Sequence, residues 1–155
     1  MKSNEVLAYE DIEPDMEIQL GTWLVTAEEI KEFASRFDPQ PMHLDENAAR
    51  ISMAGALTAS GWHTAAIAMR LFCDAYIGRS TSQGAPGVDA LKWRRPVFAG
   101  DTLSGRTIVV SKRVSKSRPA LGFVNVRHEI TNQHGEVVCD MSNTGMFGLH
   151  NPEAA

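Results

Sequence analysis

From Ile51 to Met69 the chain runs 19 residues without an Asp, Glu, Lys or Arg. A membrane-spanning helix needs about 20 predominantly apolar residues. This stretch is too polar for one, because it carries Ser52, Thr58, Ser60, His63 and Thr64 and is bracketed by Arg50 and Arg70. Its continuation, "LTASGWHTAAIAMRLFCDAYI" from Leu57 to Ile77, reads as one long helix of a soluble protein, apolar around most of its circumference over its middle. Such a helix is buried on several sides. The rest of the chain must supply a layer that wraps it.

The second half supplies that layer as strands. "VDALKWRRPV" alternates in part, "DTLSGRTIVVSKRVSKS" puts Ile108, Val110 and Val114 on one face, and "ALGFVNVRHEI" does so with Val124, Val126 and Ile130. In "TNQHGE", Gly135 can take the left-handed position of a hairpin turn, and "VVCDMSNTGMFGL" returns as the last strand. Helices first and strands later predict an α+β fold with an antiparallel sheet around the long helix. No repeat, low-complexity tract or linker divides residues 1–155, so one domain is expected.

Ahead of the long helix, "MEIQLGTWLV" reads as a strand. "TAEEIKEFASRF" is an amphipathic helix with Ile30, Phe33, Ala34 and Phe37 on one face. Thr26 and Glu29 make a capping box for it, and Asp45 can cap a short helix through "ENAARI". Between these helices lies "SRFDPQPMHLDENAA". Pro39 disfavours helical geometry at Asp38, and Pro39 and Pro41 fix two φ angles, which predicts a stiff, non-helical segment from Asp38 to His43.

A carboxylate and an imidazole held this way can share one water, one group taking its proton while the other delivers a proton elsewhere. General acid/base catalysis of this kind contributes on the order of 10²–10⁴-fold in rate. The same residues also make an ordinary helix end and turn. Gly61 is the second candidate, because backbone N–H groups in the first turns of a helix lack partners and meet the positive end of the macrodipole. Glycine there costs roughly 0.8–1.0 kcal/mol against alanine. Close approach of a ligand oxygen to the Gly61 N–H would explain it, worth about 2.7–4 kcal/mol toward a developing oxyanion. Close packing of helix on strand explains it equally.

Charge and cysteine content narrow the partners. The formal net charge is -4 and the charges are scattered, which argues against a nucleic-acid-binding surface. Cys73 and Cys139 lie far apart with no metal-ligand spacing, as expected of buried free thiols in a reducing compartment. The N-terminal "MKSNEVLAYEDIEPDMEI" has no apolar core of a signal peptide, so a cytoplasmic protein is expected.

"FDPQPMHLDENAA", "ASGWHTAAIAM" and "RRPVFAGDTL" together resemble the MaoC-like dehydratases and (R)-specific enoyl-CoA hydratases of the hot-dog fold. The resemblance covers nearly the whole chain. It implies that Asp38 and His43 are catalytic, with Pro41 between them, and that Gly61, eighteen residues past His43, is the oxyanion glycine. The family usually has Asn where Gln40 stands, often His where Ser60 stands, and in some members Ser where the spacing puts Met69. Those departures bear on the substrate pocket, to which Pro41, Ser60, Trp62 and His63 are assigned.

The resemblance implies reversible hydration of a trans-2-enoyl-CoA to an (R)-3-hydroxyacyl-CoA, with no metal and no redox cofactor, since the thioester makes the double bond electrophilic. Arg94 and Arg95, together with Lys92 and the run Lys112, Arg113, Lys116 and Arg118, are candidates for the coenzyme A phosphates; solvated strand edges explain the same charges. An acyl-CoA thioesterase of the same fold and a non-catalytic acyl-CoA-binding subunit are the rival readings. His128, His134 and His150 are read as structural or solvent-facing. An open sheet edge predicts a homodimer or higher homo-oligomer, with the active site near the interface by resemblance.

Overall fold

The computed structural model describes residues 5–151. Elements follow the order β1 (Glu17–Gln19), β2 (Trp23–Leu24), α1 (Ala27–Phe37), α2 (Pro41–Leu44), α3 (Glu46–Arg50), α4 (Gly61–Ala75), β3 (Val88–Trp93), β4 (Thr102–Val114), β5 (Leu121–Thr131) and β6 (Val137–Gly148). The sheet is antiparallel in the order β1-β4-β5-β6-β3, and β2 also pairs with β4. Its inner face carries Leu103, Val109, Val124, Ile130 and Val138, all buried against Ile67, Leu71 and Phe72 of α4. Burial of each such side chain stabilises the fold by roughly 1.5–3 kcal/mol. A sheet wrapped around a central helix is the expected α+β hot-dog architecture.

Three local expectations are corrected. The long helix starts at Gly61 rather than Leu57, because Leu57–Ala59 is extended and pairs with Val97–Ala99, through Ala59 N–H to Val97 C=O at 2.8 Å and Ala99 N–H to Leu57 C=O at 3.2 Å. On β4 the buried positions are Leu103, Thr107 and Val109, so the expected inward Ile108 and Val110 fall on the other face, Val110 exposed; a bulge between Val109 and Ser111 then shifts the alternation, and Val114 packs on the core. Burial of α4 is also one-sided within the chain. Thr64, Ile67, Ala68, Leu71 and Phe72 face the sheet, while Trp62 and Met69 remain 61% and 46% exposed.

The helix caps hold in part. Thr26 Oγ1 accepts from Glu29 N–H, but the Glu29 carboxylate, instead of completing a capping box, accepts from Trp23 Nε1 at 2.8 Å and lies 3.3 Å from His63 Nε2. Asp45 Oδ1 caps α3 through Ala48 N–H at 2.9 Å. Gly135 takes the left-handed conformation at φ 74° in the β5–β6 turn. Both cysteines are free, Cys139 buried and Cys73 partly so.

Candidate active site

The segment from Asp38 to His43, expected to be non-helical throughout, is helical in its second half. Asp38 closes α1 with φ -151° and ψ 68°, and Pro41 then opens the single turn α2, which carries His43 in its third position. Proline is well suited to this first helical position, where its missing N–H would have no partner anyway. Pro39 and Pro41 therefore direct the chain from one helix into the next. His43 is 7% exposed, and Pro41 itself is exposed.

His43 is oriented by the strand-like segment before α4. Leu57 and Ala59 direct their backbone hydrogen bonds toward Val97–Ala99, so the intervening Thr58 carbonyl faces the other way. It lies 2.7 Å from His43 Nδ1. A carbonyl only accepts, so Nδ1 carries the hydrogen, and in the neutral form of the ring the lone pair is on Nε2. That nitrogen lies 3.6 Å from Asp38 Oδ2. Two acceptors at this spacing are matched by one bridging water that donates to both.

Asp38 is itself held twice. Ser60 Oγ donates to Oδ2 at 2.6 Å and Gln40 Nε2 donates to Oδ1 at 2.6 Å. These bonds, Ser60 first, hold the Asp38 carboxyl below its usual range against the opposing effect of burial. Ser60 is the N-cap residue of α4, yet its hydroxyl makes no cap bond. The N–H groups of Gly61, Trp62 and His63 accordingly have no acceptor among the described residues.

A Cβ on Gly61 would come 2.5 Å from Cε2 of the Trp93 ring, so the close packing considered for this glycine is real. Trp62 stands edge-on to the same ring, 5.2 Å between centroids. A groove of about 290 Å³ runs past Gly61, Thr64, Trp93, Arg94 and Arg95. Arg94 is bound to Asp140 at 2.8 Å and Arg95 lies 3.7 Å from Glu136, both with their side chains half exposed. Lys112 and Arg113 lie elsewhere, the first on Glu13 and Tyr9, the second over Phe123. His63 does not join Asp38 and His43: it stacks on Phe33 at 4.7 Å and meets Glu29, which makes it part of the α1–α4 packing. Burial pushes its pKa down, partly offset by Glu29.

Thr58, Gln40 and Trp93 are the site residues that sequence reasoning missed. Gln40 stood out only as a departure from a pattern. Thr58 acts through its backbone, which no residue type announces. Trp93, a large aromatic in a short strand, was the one visible signal. Among the described residues no group of three or more His, Cys, Asp or Glu is placed to hold a metal ion, and no helix is long and apolar enough to cross a membrane.

A model of the MaoC like domain matches residues 11–132, which includes Asp38, His43, Ser60 and Gly61. The chain belongs to the MaoC-like domain family. This MaoC-like domain is similar to the MaoC-like dehydratase from Rhodospirillum rubrum, with a TM-score of 0.86 at 40% identity over 94% of this chain and 99% of that one. R-hydratase PhaJ1 from Pseudomonas aeruginosa shares the fold, at a TM-score of 0.74 and 20% identity over 94% of this chain and 87% of that one. A UPF0336 protein of Saccharopolyspora erythraea is 32% identical over 125 residues, 77% of this MaoC-like domain and 78% of the relative.

Proposed function

We propose that this MaoC-like domain reversibly hydrates a trans-2-enoyl-CoA to an (R)-3-hydroxyacyl-CoA. The observation that carries the reading is the pairing of Asp38 Oδ2 with His43 Nε2 at 3.6 Å, each group oriented by its own hydrogen bonds. Water held by the pair adds its oxygen to C3 of the enoyl group. The pair takes the proton released and returns one to C2, so both side chains end as they began. Between those events the thioester carries enolate charge on its oxygen. The uncapped N–H of Gly61 at the start of α4 is suited to receive it. The (R) hand follows from the family resemblance alone. The thioester supplies the electrophile, so the reading calls on no metal or redox cofactor.

Arg94 and Arg95, in the groove with Gly61, are assigned to the coenzyme A phosphates, and Trp93 to its wall, with Trp62 edge-on to that ring. The same reading places the enzyme in the cytoplasm as a homodimer. β3 ends the sheet with one edge unpaired among the described residues, next to exposed Trp62, Met69, Val88 and Trp93. Unpaired edges and apolar surface of this kind favour association. Sedimentation equilibrium returning a monomer at micromolar concentration would remove the dimer.

The reaction is tested by following the absorbance of the conjugated enoyl thioester as purified protein is added to crotonyl-CoA and longer enoyl-CoAs, with free thiol assayed in parallel. Absorbance lost without thiol release is the expected result. Thiol release identifies a thioesterase, and binding of acyl-CoA with silence in both channels identifies a binding subunit.

A further inference from the structure

At the far end of α4 lies a pocket of about 280 Å³ whose wall includes Met69, one of the positions where this chain departs from the family's substrate pocket. It sits between α4 and the inner face of β5 and β6, walled by apolar side chains that include Phe72, Val126, Met141 and Phe147. The polar residues that β5 and β6 contribute to this wall are His128 and Asn143; Tyr76 and Ser82 also line it. His128 is 2% exposed and stacks on Phe72 with 4.0 Å between ring centroids. Its Nδ1 lies 2.8 Å from Thr107 Oγ1 and its Nε2 lies 3.0 Å from Asn143 Oδ1.

The donor directions along this row are determined. An amide oxygen only accepts, so Nε2 carries the hydrogen, and Nδ1 must then receive the Thr107 hydroxyl proton. Burial keeps the ring neutral by pushing its pKa down to about 4. Thr107 thus sets the tautomer of His128, and His128 sets the rotation of the Asn143 amide. Asn143 Oδ1 is occupied, and Asn143 Nδ2 has no acceptor among the described residues. An amide donor on an apolar wall favours a ligand that brings an acceptor, because an all-apolar occupant would remove its water and give nothing back.

By the family resemblance this pocket receives the acyl portion of the thioester; we propose that Asn143 Nδ2 donates to an acceptor oxygen on that chain, such as a ketone remote from the thioester, which makes Asn143 a specificity-determining residue. The proposal rests on the acyl-CoA reading given above. α4 connects the two places: Met69, on the pocket wall, lies eight residues beyond Gly61. That is about 12 Å of helical rise, within reach of a medium-length acyl chain.

Isothermal titration with saturated acyl-CoAs of increasing length tests it, each plain chain paired with the same chain carrying a ketone near its end. Wild-type protein is expected to prefer the keto chain by roughly three- to tenfold at one length, the worth of one neutral hydrogen bond. Asn143→Leu should bind both chains equally. Equal binding at every length in wild type overturns the proposal without recourse to any variant, as does failure to bind any acyl-CoA or a preference that survives in Asn143→Leu. A keto preference in a protein that hydrates no enoyl-CoA would leave the pocket standing and remove the reaction. Hydration with no preference would do the reverse.

Discussion

Ser60 Oγ donates to Asp38 Oδ2 at 2.6 Å, so the N-cap residue of α4 serves a carboxylate 22 positions earlier and leaves its own helix uncapped. One hydroxyl thereby does two things: it holds Asp38 ionised and frees the N–H groups of the first turn of α4. The expected consequence is a pH effect. Asp38 sits below its usual carboxyl range chiefly because of this bond, so Ser60→Ala should raise its pKa. A carboxylate needed for catalysis is then lost at higher pH as the solution is acidified. The acid limb of the kcat/KM profile should move to higher pH in Ser60→Ala, and a limb that stays in place would show that Asp38 does not act as the carboxylate.

Asp38→Asn retains an oxygen that can accept from Ser60, and His43→Gln retains an amide donor for the Thr58 carbonyl. Both variants should therefore fold, with melting temperatures near that of wild type, and should still bind acyl-CoA. Loss of either acid/base group is expected to cut kcat on the order of 10²–10⁴-fold. Full turnover in both folded variants would leave the pair with a structural role only.

What the sequence made legible at this site was whatever sits close together along the chain. Asp38, Pro41 and His43 lie within one short segment, and Gly61 lies in the first turns of the long apolar helix. Contacts made across the chain were not legible. The Thr58 carbonyl reaches His43 only because Leu57–Ala59 pairs with Val97–Ala99, and that pairing also moves the start of α4. Period-2 alternation placed Val124, Val126 and Ile130 correctly; His128, read as structural or solvent-facing, is buried on the same face. The alternation misplaced Ile108 and Val110, which lie off the core face, while Val114 packs on the core because a bulge after Val109 adds one residue without leaving a mark in composition. His63 illustrates a third limit: proximity to Gly61 along a helix says nothing about which side of the helix it occupies.

His128 makes folding stability depend on pH. Burial lowers its pKa from 6.5 to about 4, so between these values the unfolded chain binds a proton that the folded chain refuses. Stability from this group is complete above pH 6.5 and is lost on acidification toward pH 4. The linkage relation gives a loss of about 2 kcal/mol between pH 7 and pH 5. Urea unfolding at those two pH values should show that loss in wild type, and a difference smaller by about this amount in His128→Gln, which has no ring to protonate. Equal pH dependence in both proteins would show that the ring charges without cost in the fold.

The two reasons for a glycine at position 61 can be separated experimentally. Alanine retains the N–H, so whatever Gly61→Ala does arises from its Cβ meeting the Trp93 ring at 2.5 Å. Proline removes the N–H, and the backbone is ready for it: residue 61 opens α4, and Ser60 is extended at φ -51° and ψ 141°, as a residue before proline must be. In a Trp93→Leu background, where the ring no longer blocks either side chain, Gly61→Ala should hydrate enoyl-CoA nearly as well as its parent. Gly61→Pro in that background should lose about 10²–10³-fold in kcat, the effect of removing one oxyanion donor. If alanine and proline are equally active there, position 61 is glycine for the sake of Trp93 alone, and the oxyanion must be received by another N–H of the same turn.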